Sequence, residues 1–319
     1  LFFVDPVGRG GATERMMAAA PQGHLQSVEG QSLTGVGCSR LRFFLETTMA
    51  EADWTAVDVD LTLPSSARLY DYMLGGSQNF AVDRTVAERI IAASPDARSI
   101  AQANRSFLRR AVRVLVDAGV RQFLDLGSGI PTVGNVHEVA QRAAPDARVV
   151  YVDVEPVAVI HSNAILAGND RAAAIQADIR DIDRILVDPT VRSLIDFSQP
   201  VGVLALSVLH FVPDEEHPEE IIRTLWQAMC PGSYLTVSHS TPVGEEPEAQ
   251  AQDAKRILSR NTINVTMRSH AEVARLLAGF DLLEPGLVFA PQWRPDSPDD
   301  VFSGEPERSI TLAAVGVKR

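Results

Sequence analysis

Downstream of Gly119 five short apolar runs recur, each separated from the next by an amphipathic stretch of helical period. They are Gln122-Phe-Leu-Asp-Leu126, Arg148-Val-Val-Tyr-Val-Asp153, Ala172-Ala-Ala-Ile-Gln-Ala177, Val201-Gly-Val-Leu-Ala-Leu206 and Tyr234-Leu-Thr-Val-Ser238. Strands that are apolar almost throughout are buried on both faces, and helices between them supply the crossovers that parallel strands require. The pattern predicts a doubly wound α/β fold with a mostly parallel sheet. Asp281-Leu-Leu-Glu284 and Ile310 to Val317 are expected to add one strand pair, joined by a loop dense in Pro, Asp and Trp from Pro291 to Glu307.

Upstream, Ser65 to Gly119 is helical in period. Ala87, Ile90 and Ile91, then Phe107, Leu108, Ala111, Val112 and Leu115, recur at three- and four-residue spacing. Leu74-Gly-Gly-Ser77 and Ser94-Pro-Asp96 divide the segment into a short first helix, a second over 83–93 and a third over 98–118. Residues 49–118 are therefore read as an N-terminal helical cap and 119–319 as the α/β domain. Residues 1–48 lack a sustained period, and Met49 is a plausible natural start, so 1–48 is read as a non-native or loosely attached extension.

Composition excludes several classes. In 319 residues no apolar run reaches the roughly 18 to 20 that a membrane span needs. A net charge of −12 argues against a protein that tracks phosphates, so no nucleic acid or membrane partner is expected. Cys38 and Cys230 form neither a disulfide framework nor a metal knuckle, which points to a reducing cytoplasm and no metal. Only Lys255 and Lys318 are lysine among 29 basic residues.

The most informative segment is Phe123-Leu-Asp-Leu-Gly-Ser-Gly-Ile-Pro-Thr132, a strand ending in a Gly-x-Gly turn. Gly127 and Gly129 let the backbone approach a ligand, and a helix expected from Thr132 or Val133 would offer N–H groups to an anion. Asp125 precedes the turn, and Asp153 closes the next strand, where an acid accepts from ribose hydroxyls in nucleotide folds. Thr132 stands where a dinucleotide fingerprint wants a third small residue, which disfavours an NAD-dependent oxidoreductase. A ligand bearing both carboxylate and ammonium, as in the methionine part of S-adenosylmethionine, suits the turn better.

Asp125-Leu-Gly-Ser-Gly129 resembles motif I of class I methyltransferases, and Tyr151-Val-Asp153 resembles their acidic second strand. Ala177-Asp178-Ile179-Arg180, Leu206-Ser-Val-Leu-His210 and Cys230-Pro-Gly-Ser-Tyr234 are similar to their later loops. Ala67-Arg-Leu-Tyr-Asp-Tyr-Met-Leu-Gly-Gly-Ser-Gln-Asn-Phe-Ala-Val-Asp-Arg84 resembles the signature of an actinobacterial family of S-adenosylmethionine-dependent methyltransferases, and the likeness spans about residues 60–319. The resemblance implies S-adenosyl-L-methionine as cofactor and a small-molecule acceptor methylated on O or N, with a homodimer left open. It implies cofactor contacts from Asp125, Gly127, Ser128, Gly129, Asp153, Asp178, Ile179 and Ser207. A catalytically idle nucleoside-binding module remains the alternative.

Two further readings concern chemistry. Tyr70, Tyr72 and Phe80 offer aromatic faces and Asp71 and Asn79 offer oxygens to a sulfonium, so this block, with Tyr70 and Asn79 at its centre, is expected to close over the cofactor as a lid. Arg68, Arg84 and Arg105 are candidates to pair with a carboxylate. His210, just past the fourth strand, is the candidate general base, with His239 a weaker one.

Overall fold

A computed structural model of the chain describes residues 62–131, 134–242, 245–260 and 263–319. The extension expected over 1–48, the start at Met49, and Cys38 lie outside those residues. Helices α1 (Ser66–Met73), α2 (Ala81–Ala93) and α3 (Ala97–Asp117) lead into strand β1 (Gln122–Leu126). Then come α4 (Val136–Ala143), β2 (Arg148–Asp153), α5 (Pro156–Ile165), β3 (Ala172–Gln176), α6 (Ile182–Val187) and α7 (Pro189–Leu194). β4 (Gly202–Leu206), α8 (Pro218–Ala228), β5 (Tyr234–Ser240), α9 (Glu245–Arg260) and α10 (His270–Leu276) follow. Three strands close the chain, β6 (Asp281–Leu282), β7 (Val288–Phe289) and β8 (Thr311–Val317).

The strands order β3-β2-β1-β4-β5-β8-β6, with β7 also paired to β8. β1 to β5 pair in parallel, and β8 runs antiparallel between β5 and β6. All five apolar runs are strands of one doubly wound sheet. The C-terminal strand pair forms as expected between β6 and β8, and β8, which also pairs with β5, joins the pair to the sheet. Its Ala313, Ala314 and Val315 are fully buried, and at Gly316 a Cβ would lie 2.6 Å from that of Phe280.

Alternate side chains of each strand feed two cores, as the pleat requires. Leu124, Val150, Val203 and Leu235 meet Ile185, Ile221 and Leu225 on one face. Phe123, Val149, Leu204 and Val315 meet Phe107, Ala111 and Leu115 of α3 on the other. Each fully buried Leu or Phe contributes roughly 1.5–3 kcal/mol. α3 thus covers the sheet itself, because its apolar stripe is continuous over three turns, and only α1 and α2 act as a cap. Leu69 of α1 and Val86, Ala87 and Ile90 of α2 pack with Ala254, Ile257 and Leu258 of α9, a helix with no counterpart in the sequence reading.

The 291–307 loop packs on α3 and away from the cavity described next. Trp293 is fully buried edge-on against Phe107 with centroids 5.3 Å apart. Arg110 donates through Nε to the Trp293 carbonyl (2.9 Å) and through Nη2 to that of Ala290 (2.7 Å). These contacts tie the loop to α3, and none of its residues lines the cavity described next.

Candidate active site

The sheet reverses its winding between β1 and β4, so the loops after these two strands diverge and leave a crevice at their carboxyl ends. A cavity of about 630 Å³ occupies that crevice, within the range of small-molecule sites. Asp125, Gly127, Ser128, Gly129, Asp153, Asp178, Ile179 and Ser207 all line it, although they come from four separate loops.

The glycine turn is demanded by the backbone. Gly127 and Gly129 both have φ +66°, where an L side chain is strained. A Cβ at Gly127 would stand 2.3 Å from Val208 Cγ2, which joins the β1 and β4 loops closely. At Gly129 a Cβ would meet nothing within 4 Å, so bare backbone faces open space there. The helix start departs from expectation: α4 begins at Val136, and Glu138 accepts from Gly134 N (2.8 Å) and Asn135 N (3.1 Å). Its carboxylate therefore takes the two amides just ahead of the helix.

Asp153 accepts from Gly129 N (2.7 Å) and Glu155 N (2.8 Å), so the acid fixes the shape of the glycine turn. Burial pushes its carboxyl up to about 6, against the pull of those amides. Asp125 is 4% exposed, and its carboxyl accepts no hydrogen bond from a described residue. Burial raises it to about 7 although the Arg105 charge pulls it down. Arg105 also lines the cavity. A buried carboxyl beside a guanidinium, both bordering one space, suits a ligand that carries ammonium and carboxylate together.

Asp178 caps the short turn Ile179–Asp181 and is gripped by Arg180, which holds it ionised and below its ordinary range. Arg180 also reaches Glu216 (3.1 Å). Asp181 and Asp183, its neighbours in sequence, do not line the cavity.

The Tyr70 to Phe80 block corrects the lid reading. Tyr70 lines the cavity, whereas Asn79, Tyr72, Phe80 and Asp71 do not. Asn79 donates to Asp71 Oδ2 (2.8 Å) and to the Gly76 carbonyl (3.0 Å), while its own oxygens accept from Arg84. Asp71 Oδ2 and Asn79 thus close the Gly75-Gly76 turn. Arg68 pairs with Asp83 (2.8 Å) and Glu155 (2.7 Å). Of the three arginines proposed to meet a carboxylate, only Arg105 borders the cavity.

A relay fixes Tyr70. Ser238 Oγ donates to Asn104 Oδ1 (2.6 Å), Asn104 Nδ2 to the Tyr70 hydroxyl (3.1 Å), and that hydroxyl to the Ala101 carbonyl (3.1 Å). Burial keeps the phenol protonated by raising it above its ordinary value. Ser207 Oγ meets Ser238 Oγ at 3.3 Å and has φ +52°, a left-handed non-glycine residue held at the end of β4.

His210 borders the cavity with Nδ1 3.2 Å from Ser240 Oγ and its ring edge-on to Phe211. Burial, then the neighbouring His239 and Arg268, push it down to about 3. Burial thus disfavours the protonated imidazole, which weighs against His210 as general base. His239 is structural. Arg268 donates to its Nε2 (2.9 Å), so the proton sits on Nδ1 and goes to the Ser240 carbonyl (2.8 Å).

The far wall of the cavity comes from segments the sequence reading passed over. Ala254, Lys255 and Leu258 of α9 and Ile263 to Val265 and Met267 line it, and Ala254, Leu258 and Ile263 pack with Leu69, Met73 and Ile90. Helix-forming Glu, Ala, Gln and Arg between Gly244 and Arg260 were the available signal. Among the described residues no group of three or more His, Cys, Asp or Glu side chains could hold a metal, and no helix is long and apolar enough to cross a membrane.

The fold is a Rossmann-like, class I methyltransferase-like sheet with a small-molecule cavity at its switch point. The sequence profile of the S-adenosyl methyltransferase family matches residues 52–319, and the chain belongs to that family. It is similar to a presumed methyltransferase of Thermobifida fusca YX, at 39% identity and TM-score 0.77, over 84% of this chain and all of that one. A duf574 family protein of Streptomyces avermitilis MA-4680 is 35% identical with TM-score 0.76, over 81% of this chain and 98% of that one. No curated protein matches the chain. The protein is an S-adenosylmethionine-dependent methyltransferase, and the open carboxyl of Asp125, the Arg105 charge and the bare backbone at Gly129 fit that cofactor.

Proposed function

We propose that the protein methylates an O or N atom of a small molecule in the cytoplasm. The observation that carries this reading is that one cavity joins the acidic glycine edge to an apolar wall. A methyl acceptor and the cofactor therefore share one concave space of small-molecule size. When bound, S-adenosylmethionine supplies a methyl group already activated by its sulfonium.

The chain's own residues then have positioning roles. Asp153 accepts from the ribose hydroxyls, and Asp178 with the Ile179 N–H reads the adenine. Asp125 and Arg105 hold the amino acid end, and the glycine backbone with Ser128 lies along it. The Tyr70 ring faces the sulfonium, and Ser207 shapes the loop beside it. His210 orients the accepting atom with Ser240 behind it.

Calorimetry tests the reading. S-adenosylhomocysteine is expected to bind and NAD not to bind. Incubation with methyl-tritiated S-adenosylmethionine and a small-molecule extract should label a low-molecular-weight product. Label confined to protein or RNA would overturn it.

A further inference from the structure

The two ends of the cavity differ in chemistry, and the end away from the glycine turn has one charged group. Leu69, Met73, Ile90, Leu258, Ile263 and Val265 make that wall apolar. Three cationic side chains border the cavity as a whole. Arg180 is bound to Asp178 and Glu216, and Arg105 lies by Asp125. Lys255 of α9 makes no ion pair or hydrogen bond with a described residue.

The chain's other lysine is a structural one, and its surroundings are the opposite. Lys318 donates to the carbonyls of Trp226 and Met229, both at 2.6 Å, and sits over the Trp226 ring. Lys255 has no such work. A half-buried lysine with no partner among the described residues, lining an apolar wall in a protein of net charge −12, can take an anion from outside the chain. Its four-carbon stem can lie on that wall while the head meets the charge.

We propose that the methyl acceptor is a largely apolar small molecule carrying a carboxylate, its charge against Lys255 and its body along the α2 and α9 wall. This rests on the methyl-transfer reading above and names the acceptor class for it. A phosphate would call for arginine forks or convergent backbone amides, and among the described residues the only basic group on this wall is Lys255. The His210–Ser240 pair stands on the strand side of the same space, where a neutral hydrogen-bonding group meets the accepting atom.

The test uses the full chain saturated with S-adenosylhomocysteine. Decanoate and 3-(4-hydroxyphenyl)propanoate are titrated calorimetrically beside their neutral amides. The carboxylates are expected to bind at least ~10-fold more tightly than the amides, the scale of one partly desolvated charge pair. Lys255→Gln should erase that preference and Lys255→Arg should keep it, with S-adenosylhomocysteine affinity unchanged in both. Equal binding of acid and amide, no binding of any probe, or a preference surviving in Lys255→Gln overturns the proposal. If S-adenosylhomocysteine itself does not bind, the cofactor assignment fails separately, and the same acid-against-amide titration on the free protein still decides the role of Lys255.

Discussion

The glycine edge and the apolar wall face the same space but are assembled in opposite ways. At the edge, backbone does the shaping: two positive-φ glycines, and a carboxylate that spends hydrogen bonds on Gly129 N and Glu155 N. At the wall, side chains from α1, α2, α9 and the 263–267 segment meet across long sequence separations. Backbone shaping leaves little latitude for substitution, whereas an apolar wall can repack. One end of such a site can stay constant while the other takes a new acceptor.

The largest effect is therefore expected at the turn. Gly127→Ala combines left-handed backbone with a Cβ placed 2.3 Å from Val208. It should weaken S-adenosylhomocysteine binding by at least ~100-fold, about 2.7 kcal/mol, in calorimetry. Gly129→Ala has the same φ but open space, so thermal unfolding should register only the backbone strain, roughly 1–2 kcal/mol. Similar stability losses for the two would break the distinction between a packed and a bare glycine.

Asp125 gives the next effect, and it depends on pH. Its folded carboxyl is raised to about 7 by burial, so the native state holds a proton that the unfolded chain releases near 4. Its contribution to stability is thus fully present at low pH and is lost as pH rises through about 7. Asp125→Asn should be the more stable protein at pH 8, by roughly 2–4 kcal/mol in the absence of ligand. Binding an ammonium reverses the preference, so wild-type affinity for S-adenosylhomocysteine should climb about tenfold from pH 6 to 7.5. A flat profile, measured by titration at each pH, would place the amino group elsewhere.

The same contrast explains what could be read from the chain. The five parallel strands were legible because each is buried on both faces and so carries its signal locally. The turn at Gly127 was legible because a left-handed backbone beside a close neighbour demands glycine, and Asp153 because an acid closing a strand stands out from its apolar run. Asn79 was misread because Asn, Asp and Gly serve an internal turn and a ligand with the same chemistry. The wall was not legible at all, since α9 reaches the cavity only through its packing on α2. The burial of Trp293 against Phe107 was not legible either, since sequence gives no side of the sheet.

The signature block offers a smaller effect that separates its two halves. Tyr70→Ala should lower affinity for S-adenosylmethionine about 3- to 10-fold relative to S-adenosylhomocysteine, because only the former carries the cation that an aromatic face attracts. Asn79→Ala should leave both affinities unchanged and cost about 1–3 kcal/mol of stability through its lost bonds to Asp71 and Gly76. A loss of cofactor affinity in Asn79→Ala with stability intact would restore the lid.

His210 should show the smallest change, and that is informative. Burial lowers it to about 3 and the adjoining His239 to about 4, where Arg268 donates to its Nε2. Their contribution to stability holds above about pH 6.5, where the unfolded imidazoles are neutral, and is lost as pH falls toward those values. Neither ring should titrate between pH 5.5 and 8.5 when its carbon-bound proton signals are followed by NMR. A midpoint near 6.5 for His210 would mean that the cavity end of the ring is solvated and exchanging protons, and would return it to the role of base. With no midpoint, the proton released on methyl transfer leaves by another route. An acceptor that is already ionised, or one whose proton passes directly to solvent, then becomes the chemistry this cavity admits.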